Sequence, residues 1–267
     1  MTPPSMTCWI TGASSGIGRE LAQRLAAAGH TVWISARSWG VLETLAQEDP
    51  LHLLPLPCDV SDSAAMAALF TDPALGNNGS VPQALDLVIL CAGICEYIDL
   101  PNLDTASIRR NMDVNFHGTV NAAAAALPLL RAAHARNPAR KPELVGVSSM
   151  SAYVGFPRAE GYGASKAALA YFLDALRCDV QQDLDVTVVY PGFVATPMTD
   201  RNDFAMPFLQ TTAEAADNIL ARLGRGRRRI SFPWQLHWLL KLAALLPGLW
   251  YGPVMRSLSR QQRKTQA

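Results

Sequence analysis

The chain has 267 residues, 49% of them apolar and 17% charged, with a formal net charge of +1. This composition supports a sizeable buried core and excludes a disordered or highly charged chain, and the length suits one large α/β domain or two small ones. The small net charge hides an asymmetry. From Asn218 to Ala267 there is no Asp or Glu, while ten Lys or Arg occur: Arg222, Arg225, Arg227, Arg228, Arg229, Lys241, Arg256, Arg260, Arg263 and Lys264. Five cysteines with no CxxC read as reduced thiols of a cytosolic core. No basic region followed by a long apolar run opens the chain, so a cytoplasmic location is expected. The five histidines show no paired spacing, so no metal site is expected.

In chain order, short apolar runs alternate with longer helical patterns. "TCWIT", "TVWISA", "LHLLPL", "LDLVIL", "ELVGVSS" and "DVTVVYP" are strand candidates, and "RRIS" is a seventh. "GRELAQRLAAAG", "WGVLETLAQE", "SAAMAALF", the stretch from Ile108 to Arg136 and the stretch from Tyr162 to Gln182 have helical patterning. Such alternation predicts a single doubly wound, Rossmann-type α/β domain, a parallel sheet with helices on both faces. "LDLVIL" is apolar throughout, as a strand buried on both faces should be. Pro128 should kink the long helix that contains it. The expected division is a dinucleotide-binding catalytic domain over residues 1–232 and a C-terminal extension over 233–267.

The first strand candidate runs through Gly12, Gly16 and Gly18 into an amphipathic helix. Glycines so placed permit a tight turn, close approach of a phosphate and close helix–strand packing, with the helix N-terminus facing a pyrophosphate. Far downstream, "EGYGASKAAL" places Tyr162 four residues before Lys166, hence one turn away on the same helix face. A free tyrosine titrates near about 10, and a neighbouring cation favours the phenolate, so the pair is predicted to move protons at neutral pH. An acid at the end of the second strand would select NAD(H) through the ribose hydroxyl; here Ala36 stands in that place and Arg37 follows, which favours NADP(H).

TGxxxGxG (Thr11 to Gly18) with YxxxK (Tyr162 to Lys166), Tyr162 lying 150 residues after Gly12, resembles the short-chain dehydrogenase/reductase family over roughly residues 6–200. "CDV" (Cys58 to Val60) and "PGFVATPM" (Pro191 to Met198) strengthen the resemblance. It implies a nicotinamide dinucleotide held by Gly12, Ser14, Ser15, Gly16, Ile17, Gly18, Arg37, Asp59, Val60, Ala92, Gly93, Pro191, Gly192 and Thr196, together with Tyr162 and Lys166. It also implies Tyr162 as proton donor, Lys166 as its partner, and Ser149, thirteen positions before the tyrosine, as the hydrogen-bond donor to the substrate oxygen. Ser148 and Ser151 are expected to be structural. Asn115 in "DVNFHG" matches an asparagine that holds a water of the proton relay, against the alternative that it serves backbone groups only. Similar enzymes are homo-oligomers acting on small carbonyl or alcohol substrates.

Two departures stand out. "LCAG" (Leu90 to Gly93) replaces the asparagine pair many relatives carry, leaving Cys91 beside the expected cofactor. The C-terminal segment is apolar nearly all round from Gln235 to Leu246; twelve helical residues span about 18 Å, short of the roughly 30 Å needed to cross a bilayer. It reads as a lid or subunit interface, as a membrane-surface contact for an apolar or lipid-like substrate, or, with least support, as a nucleic-acid contact. The expected activity is interconversion of a ketone and a secondary alcohol with NADP(H); the rival expectations are an idle cofactor-binding sensor or scaffold, and an NAD-linked alcohol dehydrogenase.

Overall fold

A computed structural model describes residues 5–76 and 79–255, less the side chain of Val254. The expected extension is therefore seen only to Met255, and its basic residues Arg256, Arg260, Arg263 and Lys264 lie outside the described residues.

Seven parallel strands form one sheet: β1 (Thr7–Thr11), β2 (Thr31–Ser35), β3 (Leu53–Pro55), β4 (Leu87–Leu90), β5 (Glu143–Val147), β6 (Asp185–Pro191) and β7 (Arg229–Phe232). Their spatial order is β3-β2-β1-β4-β5-β6-β7. The order reverses between β1 and β4, where Ile10 pairs with Ile34 on one side and Ile89 on the other. In open parallel sheets that reversal opens a crevice at the strands' carboxyl ends. β4 is buried along its whole length, which explains its unbroken apolar sequence; β5 is equally buried, and its one charged residue, Glu143, accepts from Thr187 Oγ1 and Gly224 N.

Helices cover both faces. On one side α1 (Gly16–Ala27) and α2 (Trp39–Glu48) bury Leu21, Leu25, Leu42 and Leu45. On the other, α3 (Ser63–Ala68) contributes Met66, and the long pair α5 (Gly118–Arg136) and α6 (Glu160–Val180) buries Leu130, Leu169 and Leu173.

The helical stretch predicted from Ile108 to Arg136 divides into α4 (Thr105–Met112), a π-helical turn over Asp113–His117, and α5. The helix is continuous through Pro128, and a departure from α geometry occurs at the π-helical turn that holds Asn115.

A further helix, α7 (Thr212–Leu220), was absent from the predicted elements. Its capping box is complete: Thr211 Oγ1 accepts from Glu214 N at 3.1 Å, and Glu214 Oε2 accepts from Thr211 N at 2.7 Å. After β7, α8 (Trp234–Leu245) and a turn ending in π-helical Trp250–Val254 pack inward through Leu236, Leu240 and Trp250 onto the layer of α5 and α6.

Candidate active site

The β1–α1 turn is shaped by backbone contacts that only glycine allows. Gly12 (φ +69°) and Gly16 (φ +57°) occupy left-handed conformations. A Cβ on Gly12 would stand 2.7 Å from Ala92 Cα, and one on Gly18 only 2.4 Å from Gly12 O. Thr11 Oγ1 joins the two central strands by accepting from Cys91 N at 3.1 Å and Ala92 N at 3.2 Å. Ser15 is the N-cap residue of α1 but makes no capping bond through its side chain. Thr196 lies across the turn, its Cγ2 being 3.0 Å from where a Gly16 Cβ would sit.

From this turn a cleft runs past Ser14, Ala36, Arg37, Asp59, Val60, Ala92 and Gly93. These are glycine-loop, second-strand, third-strand and fourth-strand residues expected to hold a dinucleotide, brought together although they span 80 positions of sequence. Ser15 and Ile17 lie on the same turn, Ile17 packing against the core beneath it. Arg37 is exposed at the cleft edge. Burial opposes ionisation of Asp59, yet two hydrogen bonds from Ser61, aided by Arg37, hold its carboxyl below the ordinary value. Gly192 follows β6, and a Cβ there would meet Leu236 Cδ2 at 2.8 Å. α8 thus packs closely against the glycine after Pro191.

Tyr162 and Lys166 occupy the first two turns of α6. Lys166 is 4% exposed, and its Nζ donates to Val147 O at 2.9 Å. The ammonium stands 6.0 Å from the centre of the Tyr162 ring. Burial pushes its pKa down to about 8. Burial also dominates the phenol and moves it in the opposite sense to expectation: the Tyr162 pKa is raised, with Cys95 and Cys91 adding to the rise and a hydrogen bond with Ser149 opposing it. Burial is the largest influence on this phenol and favours its protonated form.

Ser149 Oγ accepts from Ser151 N at 3.1 Å, which fixes the hydroxyl at the end of β5. Ser148 is structural, its Oγ donating to Lys166 O at 2.8 Å. Asn115 is fully buried, and its amide bonds protein groups: Oδ1 accepts from Ile94 N at 2.8 Å, and Nδ2 donates to Ile94 O and to Ser165 Oγ, both at 2.9 Å. Ser165 Oγ in turn donates to Tyr162 O at 2.7 Å. Asn115 thus ties the loop after β4 to the start of α6. Cys91 has its pKa pushed up to about 11 by burial, which makes it a poor nucleophile at neutral pH.

Three groups beside the site had no sequence signal of their own. Tyr97 and Cys95, on the loop after β4, are close enough to Tyr162 to raise its pKa or have their own raised by it. Tyr97 Oη donates to Asn202 Oδ1 at 2.9 Å and meets Phe204 edge-on at 5.8 Å. Arg158, in a left-handed conformation (φ +67°), bonds Asp99 and Asp203 at 2.7 Å each and covers the Tyr97 ring at 5.3 Å. One guanidinium therefore joins the loops after β4, before α6 and after β6.

Comparison with known proteins decides the family. The sequence profile of the family described as short chain dehydrogenase matches residues 6–205. The chain belongs to the short-chain dehydrogenase family. An uncharacterized oxidoreductase of Myxococcus xanthus is 34% identical over 94% of this chain and 97% of its own length. The 11-beta-hydroxysteroid dehydrogenase-like 3 protein of Arabidopsis thaliana is 31% identical over 90% of this chain and 77% of its own. Among solved structures, a short-chain dehydrogenase from Streptomyces avermitilis superposes with a TM-score of 0.75 at 22% identity, covering 97% of this chain and 99% of that one. One from Burkholderia cenocepacia in complex with NADP has a TM-score of 0.75 at 23% identity, covering 97% and 98%. The family's oxidoreductase chemistry thus frames the Ser149–Tyr162–Lys166 cluster, and the shared fold accounts for the glycine-lined cleft beside it.

Proposed function

We propose that this short-chain dehydrogenase interconverts a ketone and a secondary alcohol with NADP(H), acting on an apolar substrate. The observation that carries the reading is the Ser149–Tyr162–Lys166 cluster, whose ammonium stands 3.1 Å from where a Cβ on Gly93 of the glycine-lined cleft would sit. A dinucleotide would rest against Gly12, Ser14, Ser15, Gly16, Ile17 and Gly18. Asp59 and Val60 would border the adenine, Arg37 the 2′-phosphate, and Ala92, Gly93, Pro191, Gly192 and Thr196 the nicotinamide half. Nicotinamide supplies or accepts the hydride when bound.

Tyr162 holds a proton through neutral pH because burial disfavours its phenolate, and it gives that proton to the substrate oxygen as negative charge develops there. Ser149 orients the same oxygen by hydrogen bonding. Lys166, with one bond to Val147 O, has donors left for the ribose and for proton resupply. Asn115 acts as a positioning residue through Ile94 and Ser165. A buried ammonium is costly, and a scaffold that merely bound a cofactor would have no use for one aimed at a tyrosine. Tyr97, Phe193 and Phe204 form an aromatic wall joined by edge contacts of 5.8 and 6.1 Å, which supports an apolar substrate. The hydroxysteroid dehydrogenase-like relative and the NADP-bound neighbour agree with this class and cofactor.

The test is a screen of alicyclic and long-chain ketones for oxidation of NADPH and NADH. The reading expects turnover of apolar ketones with preference for NADPH; no turnover of any ketone in either direction, or equal use of NADH, overturns its respective half.

A further inference from the structure

Helix α8 carries apolar side chains on its outer face as well as its inner one. Leu236 and Leu240 point into the core, while Trp234 is 68% exposed, Trp238 65% and Leu245 77%, with Leu239, Leu242, Leu246, Leu249 and Tyr251 also exposed. An apolar surface of this extent on a soluble domain marks an interaction site. It is not a loose tail awaiting burial. Trp250 Nε1 donates to Gly155 O at 3.0 Å, Gly155 N donates to Tyr251 Oη at 2.9 Å, and the Trp250 ring meets Phe156 edge-on at 5.5 Å. Lys241 Nζ lies over the Tyr153 ring at 4.6 Å. The inner face is anchored, so the outer face is held outward. It continues onto the loop before α7, because Phe208, Leu209 and Trp234 line one cleft of about 390 Å³.

We propose that this face docks the protein onto an anionic lipid bilayer, with α8 lying in the membrane interface. Charge decides for lipid over a second copy of the chain. No acidic residue occurs from Asn218 to Ala267, and four Arg or Lys follow Met255 within twelve residues. A two-fold interface repeats the segment's charge on both sides, and the segment itself holds no carboxylate to offset it. Anionic headgroups supply the missing charge, and Trp and Tyr favour the headgroup level. No described helix is long and apolar enough to cross a membrane, so the contact is peripheral. The inference is independent of the chemistry assigned to Tyr162.

The experiment is flotation of the full chain with phosphatidylglycerol vesicles and with phosphatidylcholine vesicles, alongside light scattering of the protein alone. The W238E/L242E double variant changes only outward side chains, and circular dichroism checks its fold. Wild-type protein floats with phosphatidylglycerol, releases in high salt, and binds phosphatidylcholine at least about tenfold more weakly; the double variant loses at least about tenfold in affinity. Failure to float on phosphatidylglycerol overturns the proposal, as does flotation that the double variant retains. A dimer that the double variant dissociates, with no vesicle binding, assigns the face to a second copy instead and equally overturns it.

Discussion

Around Lys166 the protein buries Asn115, Ser148 and the lysine itself and bonds each of them; along α8 it leaves large apolar groups in solvent. Asn115 and Lys166 are taken out of water and bonded to Ile94, Ser165 and Val147, whereas Trp238 and Leu245 stand in solvent. Each arrangement opposes the ordinary partition of side chains, and each has a cost that folding alone does not recover. The first is explained by chemistry inside the molecule and the second by a surface outside it. The contrast also separates the chain physically: the buried polar set lies within the family-matched residues 6–205, and the exposed apolar set lies mainly after them.

Among effects on cofactor binding and pH dependence, the largest is expected at the glycine turn. Gly18→Ala forces a Cβ to within 2.4 Å of Gly12 O, and NADPH affinity, read by fluorescence titration, should fall roughly a hundredfold. Retained affinity would detach the glycine turn from the cofactor. Next comes the pH profile. Lys166 loses its proton as pH rises through about 8, while burial keeps Tyr162 protonated. Reductive turnover should therefore fall about tenfold per pH unit above that point, and a flat profile there would show that the buried ammonium is not used. The same group acts oppositely on stability. Its folded pKa lies below the ordinary 10.5, so the unfolded chain holds more protons between about 8 and 10.5 and this contribution rises with pH. Third, Arg37→Ala should raise the KM for NADPH about tenfold or more and that for NADH less than about twofold; equal changes would remove Arg37 from cofactor selection. Smallest is Trp238→Glu, which should leave stability within about 0.5 kcal/mol and turnover of a water-soluble ketone unchanged. A large loss of stability would place Trp238 in the packed core and dissolve the contrast between the two regions.

The sheet was legible because its strands are buried on both faces and therefore write continuous apolar runs, and the glycine turn because backbone approach admits one residue type. Helix α7 was also legible, through the Thr211–Glu214 capping box and through Ala215, Ala216 and Ile219 on one face, but its nine residues make a short pattern. The π-helical turn around Asn115 has no residue signature, so the division of the long helix there was not foreseen. The Arg158 link to Asp99 and Asp203 joins residues 59 and 45 positions apart on irregular loops, and neither period nor motif foretells such a contact. Spacing placed Tyr162 beside Lys166 correctly, but it could not weigh burial against charge, and burial is the larger influence on both.

The most direct measurement is single-turnover NADPH oxidation by Tyr162→Phe, with NADPH affinity titrated on the same preparation. Loss of turnover by about a thousandfold with affinity kept within about twofold is the predicted result. Turnover near that of the unaltered protein would contradict the assignment of the buried phenol as the proton donor.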